Sequence, residues 1–191
     1  MSEYYFKTKP YDHQMEALKQ ADNKEYYAFF MEMGTGKSKV LIDEIGKYYL
    51  EGKIDTALII APKGVYRNWE RGEIPTHLSD KIPHTVAAWK APSEMTKDDK
   101  KKLKDIIYPN KTLRILLMNI EALSGSVGIK YVTQFLHKNN TLLAIDESTT
   151  IKTPTASRTK NAIKISKLAK IRRIMTGSPV TKNPLDVYAQ L

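Results

Sequence analysis

Short apolar runs alternating with one-sided helical patterns constrain this chain more than any other feature. Residues 26–31, 56–61, 113–118, 142–145 and 171–175 are compact and apolar throughout, and 85–89 is a weaker sixth run. An apolar run without alternation is how a strand buried on both faces reads. Between the runs, 37–50 sets Val40, Leu41, Ile45, Tyr48 and Tyr49 along one side of a helix. Segments 65–73, 129–138 and 156–170 carry similar patterns. Segment 12–21 starts just after Pro10, with Asp12 available as its cap. Strand alternating with helix implies an α/β fold, a mostly parallel sheet with helices on both faces. A chain of 191 residues without repeats or a Gly/Ser/Pro linker reads as one domain over 1–191. Residues 184–191 open a further helical pattern that the sequence does not complete, so a truncated chain is expected.

Composition narrows the function. The absence of cysteine excludes a disulfide scaffold, a cysteine-ligated zinc site and a cysteine nucleophile. No run is long enough to cross a bilayer, and Met1-Ser2-Glu3-Tyr4-Tyr5-Phe6-Lys7 has no secretory pattern, so no membrane partner is expected. The expected location is intracellular, cytoplasmic in a bacterium or phage and nuclear in a eukaryote. The 31 Lys and Arg against 21 Asp and Glu give a net charge of +10, which suits an anionic partner. The lysine-rich stretch 97–104 reads first as a solvated face and only second as a phosphate-contacting patch. His13, His77, His84 and His137 show no ligand spacing. Trp69 and Trp89 read as packing residues, although either could stack on a base.

Two motifs carry chemistry. Met33-Gly34-Thr35-Gly36-Lys37-Ser38 follows an apolar run and opens a helical one, the context that a phosphate loop requires. Glycines let the backbone curl so that N–H groups face phosphate oxygens, and the helix N-terminus adds its positive dipole. Lys37 would reach the β- and γ-phosphates, and the Ser38 hydroxyl would hold Mg²⁺. A strict G-x-x-x-x-G-K-[ST] pattern wants Gly where the chain has Met31, and a ligand-free glycine turn would share these residues. The second motif is Asp146-Glu147, directly after the run 142–145. A strand ending in two acids presents them at the carboxyl edge of the sheet, where open α/β sheets bind ligands. There Asp146 suits the Mg²⁺ shell and Glu147 the base that orients or deprotonates water. An acidic helix N-terminus would look the same if the phosphate loop were absent.

The ordered motifs resemble the first RecA-like lobe of superfamily 2 helicases, most closely the Swi/Snf-type DNA translocases. Pro10-Tyr11-Asp12-His13-Gln14 is similar to the adenine-reading segment of that family, with Gln14 as the reader. Glu32 to Ser38 matches its first motif, which needs Gly34 and not a glycine at 31. Ile59-Ile60-Ala61-Pro62-Lys63, then Asn68-Trp69 and Glu73, resembles the next motif, a strand followed by a DNA-facing loop. Its Trp-to-Glu spacing is one residue longer than the family pattern, with Gly72 the inserted residue. Met118-Asn119-Ile120-Glu121-Ala122-Leu123 resembles a further segment. Asp146-Glu147-Ser148-Thr149 continues as Ile151-Lys152-Thr153-Pro154, the Swi/Snf-type form, with Thr149 where the family usually has His. Met175-Thr176-Gly177-Ser178-Pro179, with Asn183, Leu185 and Tyr188 beyond, resembles the third motif.

The resemblance implies an ATP- and Mg²⁺-using motor lobe of a double-stranded DNA translocase. Its nucleotide would be held by Gln14, Gly34, Thr35, Gly36, Lys37 and Ser38, with Ser38 and Asp146 on the metal. Lys37, Asp146 and Glu147 would carry catalysis. Lys63, Gly64 and Asn119 would touch the DNA backbone. Thr149, Thr176 and Ser178 would couple the two sites. A second RecA-like lobe beyond Leu191 is implied as partner and as source of an arginine finger, so weak turnover is expected of this lobe alone. A different phosphate-loop enzyme, such as a small-molecule kinase, and a non-catalytic DNA- or partner-docking module remain alternatives.

Overall fold

The computed structural model describes residues 4–148 and 156–177. In chain order the elements are α1 (Asp12–Ala21), β1 (Tyr26–Phe30), α2 (Lys37–Leu50) and β2 (Thr56–Ala61). Next, α3 (Tyr66–Asn68) runs through a π-wound turn (Trp69–Glu73) into α4 (Ile74–His77). Then come β3 (His84–Ala88), α5 (Lys97–Asp105), β4 (Leu113–Asn119) and a 3₁₀ turn (Ile120–Ser124). The last are α6 (Ser126–Lys138), β5 (Thr141–Asp146), α7 (Ser157–Ser166) and β6 (Ile171–Thr176). The helical pattern expected at 184–191 lies outside the described residues.

All six strands form one sheet in the order β1-β6-β5-β2-β4-β3, and every pairing is parallel. The burial along each strand explains why its sequence reads as it does. β2 and β5 are buried at every position, because both have strand neighbours on each side and helices on each face. β1 and β3 form the edges and are only partly buried, which is why 85–89 gave the weakest signal. Ala57, Ile59 and Ala61 face one core with Val40, Leu41, Ile45, Trp69 and Ile74, under α1, α2 and the 66–77 segment. Leu58 and Ile60 face a second core with Leu103, Val132, Phe135 and Ile165, under α5, α6 and α7. The expected layering of helices over both faces therefore holds, and the sheet is wholly parallel.

Two local expectations need correction. Asp12 does not cap α1. It is the first helical residue, and Tyr11 is the cap, with its backbone N–H donating to Gln14 Oε1 at 3.0 Å. The helix expected over 65–73 extends to His77 and is not uniformly α-helical. Trp69 and Ile74 are each 1% exposed. Five residues of α winding would set them about 140° apart. The π turn instead bonds the Ile74 N–H to the Trp69 carbonyl, and both side chains enter one core. Pro75 favours the change, since it has no N–H and its ring would crowd a carbonyl four residues back. Gly72, the residue expected to be additional, lies in this turn.

Stretch 97–104 lies in a capped helix. Thr96 Oγ1 accepts the Asp99 N–H at 3.1 Å, and Lys90 Nζ donates to Asp99 at 2.7 and 2.8 Å. Lys100, Lys101, Lys102 and Lys104 face away from buried Leu103, as a solvated face does.

A buried ion pair ties α2 to β6. Arg173 is fully buried and donates to Glu44 at 2.6, 2.9 and 3.0 Å. The same guanidinium reaches the Ala21 and Lys24 carbonyls just past α1, at 3.3 and 3.0 Å. Burial pushes the Glu44 carboxyl upward, and Arg173 pulls it back.

Candidate functional site

Because every strand is parallel, all their carboxyl ends open on one edge, and the chemistry gathers there. β1 leads into the loop 31–36, which turns sharply into α2. Gly34 and Gly36 hold φ of 78° and 82°, the left-handed region that glycine enters without a Cβ clash. Gly36 has a second constraint, because a Cβ there would lie 2.3 Å from Gln14 Nε2. Gln14 is buried and donates through that nitrogen to the Thr35 carbonyl at 3.0 Å. His13 Nε2 lies 2.9 Å from the same carbonyl. The first turn of α1 thus braces the loop from behind.

Thr35 is used within the loop, its hydroxyl donating to the Glu32 carbonyl at 2.7 Å. Lys37 Nζ donates to the Met31 and Glu32 carbonyls, both at 3.0 Å. The α2 cap, Gly36, has no side chain to satisfy the first N–H groups of the helix, and Ser38 stands in that first turn.

β5 delivers the acids to the same edge. Asp146 is 8% exposed, and both of its oxygens are held. Oδ2 accepts the Trp69 Nε1–H at 3.0 Å, and Oδ1 accepts the Glu147 backbone N–H at 3.0 Å. Burial raises the Asp146 carboxyl above the ordinary carboxylate range. The Trp69 bond, the Glu147 backbone N–H and Lys37 oppose that shift, and the Glu147 charge adds to it. Glu147 takes φ of 49°, an uncommon conformation for a residue with a side chain. Its Oε2 accepts from Thr176 Oγ1 at 3.4 Å. Beyond β6, Gly177 lies so near the loop that a Cβ would meet Met33 N at 3.3 Å and Lys37 Nζ at 3.6 Å. Gln14, the loop 34–38, Asp146, Glu147 and Thr176 therefore converge. Thr149 and Ser178 lie outside the described residues.

The donors here fit Mg²⁺ bound with a nucleotide. That cation prefers one or two carboxylates plus substrate phosphates and water to an all-protein cage. Asp146 and Ser38 supply such a set, and no group of three His, Asp or Glu converges among the described residues.

Lys63, Gly64 and Asn119 line a groove of about 760 Å³ together with Tyr66, Arg67 and Trp89. The first turn of α6 closes its far side. Asn119 Oδ1 also accepts the Ala122 N–H at 2.8 Å and so shapes the 3₁₀ turn. Trp89 is 6% exposed and packs on Tyr131, with ring centroids 5.0 Å apart, so its reading as a packing residue holds. Trp69 packs too, but sequence reasoning missed its bond to Asp146. No local signal joins those two residues, which meet only through the fold. Arg67 and Gly177 were missed as well, and for Gly177 the sole cue was its place between Thr176 and Ser178.

A model of the SNF2-related domain matches residues 16–191. The fold is similar to the Sulfolobus solfataricus SWI2/SNF2 ATPase core in complex with dsDNA, with a TM-score of 0.70 at 20% identity. That likeness covers 99% of this chain and 36% of the other. The UvsW helicase from bacteriophage T4 gives a TM-score of 0.63 at 15% identity, over 95% of this chain and 57% of that one. A nuclease-deletion mutant of the Type ISP restriction-modification enzyme LlaGI, in complex with a DNA substrate mimic, gives 0.66 at 15% identity. There the likeness covers 91% of this chain and 18% of the other. The chain thus spans between 18% and 57% of the length of these three. No curated protein matches it.

Proposed function

The chain belongs to the SNF2-related domain family, and from that membership and the geometry of the strand ends we propose that it is the ATP-binding motor lobe of a double-stranded DNA translocase. The observation that carries the reading is the meeting of the Lys37 loop with Asp146 and Glu147 at one sheet edge, under Thr176 and Gly177. Backbone N–H groups of 34–38 hold the phosphates, and Lys37 leaves its loop carbonyls for the terminal ones. Gln14, tied to the loop through Thr35, reads the base. Ser38 and Asp146 would hold Mg²⁺, which would supply neutralisation of charge on the phosphate oxygens. Glu147 orients the attacking water and takes its proton, held in place by the Thr176 hydroxyl.

Lys63, Gly64 and Asn119 contact DNA phosphates along their groove, and Thr149, Thr176 and Ser178 connect the two sites. A second RecA-like lobe completes the motor and supplies the arginine that stabilises the transition state. Such an arginine is worth about 10³–10⁵ in rate, so the 191-residue chain binds ATP and turns it over slowly. Its place of action is inside the cell. No helix among the described residues is long and apolar enough to cross a membrane.

Thermal unfolding tests the reading. ATP with Mg²⁺ stabilises by mass action, about 2.7 kcal/mol at a ligand concentration about 100 times Kd. Lys37→Ala should lose most of that gain while melting at nearly the same temperature without ligand. Equal stabilisation of both proteins would refute the assignment. The chain joined to its second lobe should release free phosphate, whereas a phosphorylated small molecule would mark a kinase.

A further inference from the structure

Trp69 is 1% exposed, and its indole N–H donates to Asp146 across 77 positions of sequence. A buried indole N–H needs a partner, and a backbone carbonyl would serve as well. Here the partner is the carboxylate at the end of β5. With the Glu147 N–H on the other oxygen, both oxygens are oriented, and turning the carboxylate would break a buried hydrogen bond. The Trp69 side chain is packed in the core and moves only with the segment that carries it. The π turn bonds its carbonyl to the Ile74 N–H and stacks both residues on one core. The helical segment that carries it also begins at the groove, where Tyr66 and Arg67 follow Lys63 and Gly64 along the wall.

We propose that Trp69 is a positioning residue that fixes the Asp146 carboxylate for the divalent cation and links it to the occupancy of the groove. The proposal rests on the reading of Asp146 as a cation ligand. A ligand aimed in advance takes up its cation with less reorganisation, and outer partners of ligands tune affinity for that reason. A shift of 63–67 is passed along one short helical segment and moves the N–H donor relative to its acceptor.

The test measures binding of a fluorescent ATP analogue to the full chain as Mg²⁺ is titrated, for wild type, Trp69→Phe and Asp146→Asn. Phe keeps most of the ring packing and removes the donor. Trp69→Phe should retain the wild-type circular dichroism and metal-free analogue affinity, while the half-saturating Mg²⁺ concentration rises about 10–100-fold. An unchanged Mg²⁺ response in Trp69→Phe, with the response lost in Asp146→Asn, overturns this proposal and leaves the motor-lobe reading standing. An unchanged response in Asp146→Asn removes the cation role of Asp146, and this proposal with it.

A second measurement needs no folded variant at position 69. In a heteronuclear NMR spectrum of the analogue-loaded wild type, the Trp69 indole N–H resonance should move on adding Mg²⁺. Trp89→Phe identifies it by elimination. A duplex added at low salt should move the same resonance. If Mg²⁺ leaves it in place, the positioning role is overturned, and if the duplex moves only the Trp89 signal, the link to the groove is overturned.

Discussion

Gly36 meets two demands at once, a left-handed backbone and a close approach by Gln14. Alanine in the left-handed region costs about 1–2 kcal/mol. Here it would also push Gln14 from the Thr35 carbonyl and loosen the brace behind the loop. Gly36→Ala should therefore lower stability by at least that amount and weaken ATP binding further, as read by urea unfolding and an ATP titration. Gly34 is the comparison, since its φ of 78° is similar but no atom lies within 4 Å of its Cβ position. Gly34→Ala should lose stability through strain alone. The loop was legible in the sequence because it is contiguous, and its residues announce backbone geometry and charge together. The Trp69–Asp146 bond was not legible, since a tryptophan in an apolar pattern looks the same whether its N–H meets a carbonyl or a carboxylate.

At the level of elements, strand positions were legible wherever both faces are buried and at the β1 edge, and less so at the β3 edge. Helix α2 was read with its full bounds, because its stripe is long and its start is marked by the glycine loop. The 66–77 segment shows what periodicity misses. One extra residue changes the winding, and an α template then cannot place Trp69 and Ile74 on one side. The sequence reads Gly72 as an added residue, but the π turn that contains it depends on the core beneath. Deleting Gly72 should let plain α winding replace the π turn, since Trp69 and Ile74 would then stand four residues and about 40° apart and both stay in the core. The expected loss is small, well under the about 2–5 kcal/mol of truncating a large apolar core side chain. Urea unfolding measures it, and a loss as large as a core truncation would show that the π turn itself is required.

For the molecule as a whole, the net charge of +10 pointed to an anionic partner without saying where it would lie. The proposed location is a groove beside the strand ends, which brings Lys63 and Asn119 together from separate motifs. Contacts to phosphates position a duplex without reading its sequence. DNA binding by this lobe should be weak, about 10⁻⁴–10⁻⁶ M, and should fall steeply with salt. Lys63→Ala should weaken all duplexes alike and flatten the log–log salt slope by about one unit, whereas charge changes at Lys100 to Lys102 should matter less. Fluorescence anisotropy at several salt concentrations reads both, and a salt-independent affinity or a strong preference for one sequence would contradict the phosphate-tracking role.

The Arg173–Glu44 pair has a mechanical consequence. It joins the strand leading to Thr176, the helix leading from the phosphate loop, and the end of α1 at one charged node inside the lobe. A machine delivers only the displacement that its own frame does not absorb. With this node as a rivet, compliance between β6, α2 and the end of α1 falls, and the three elements are held as one frame.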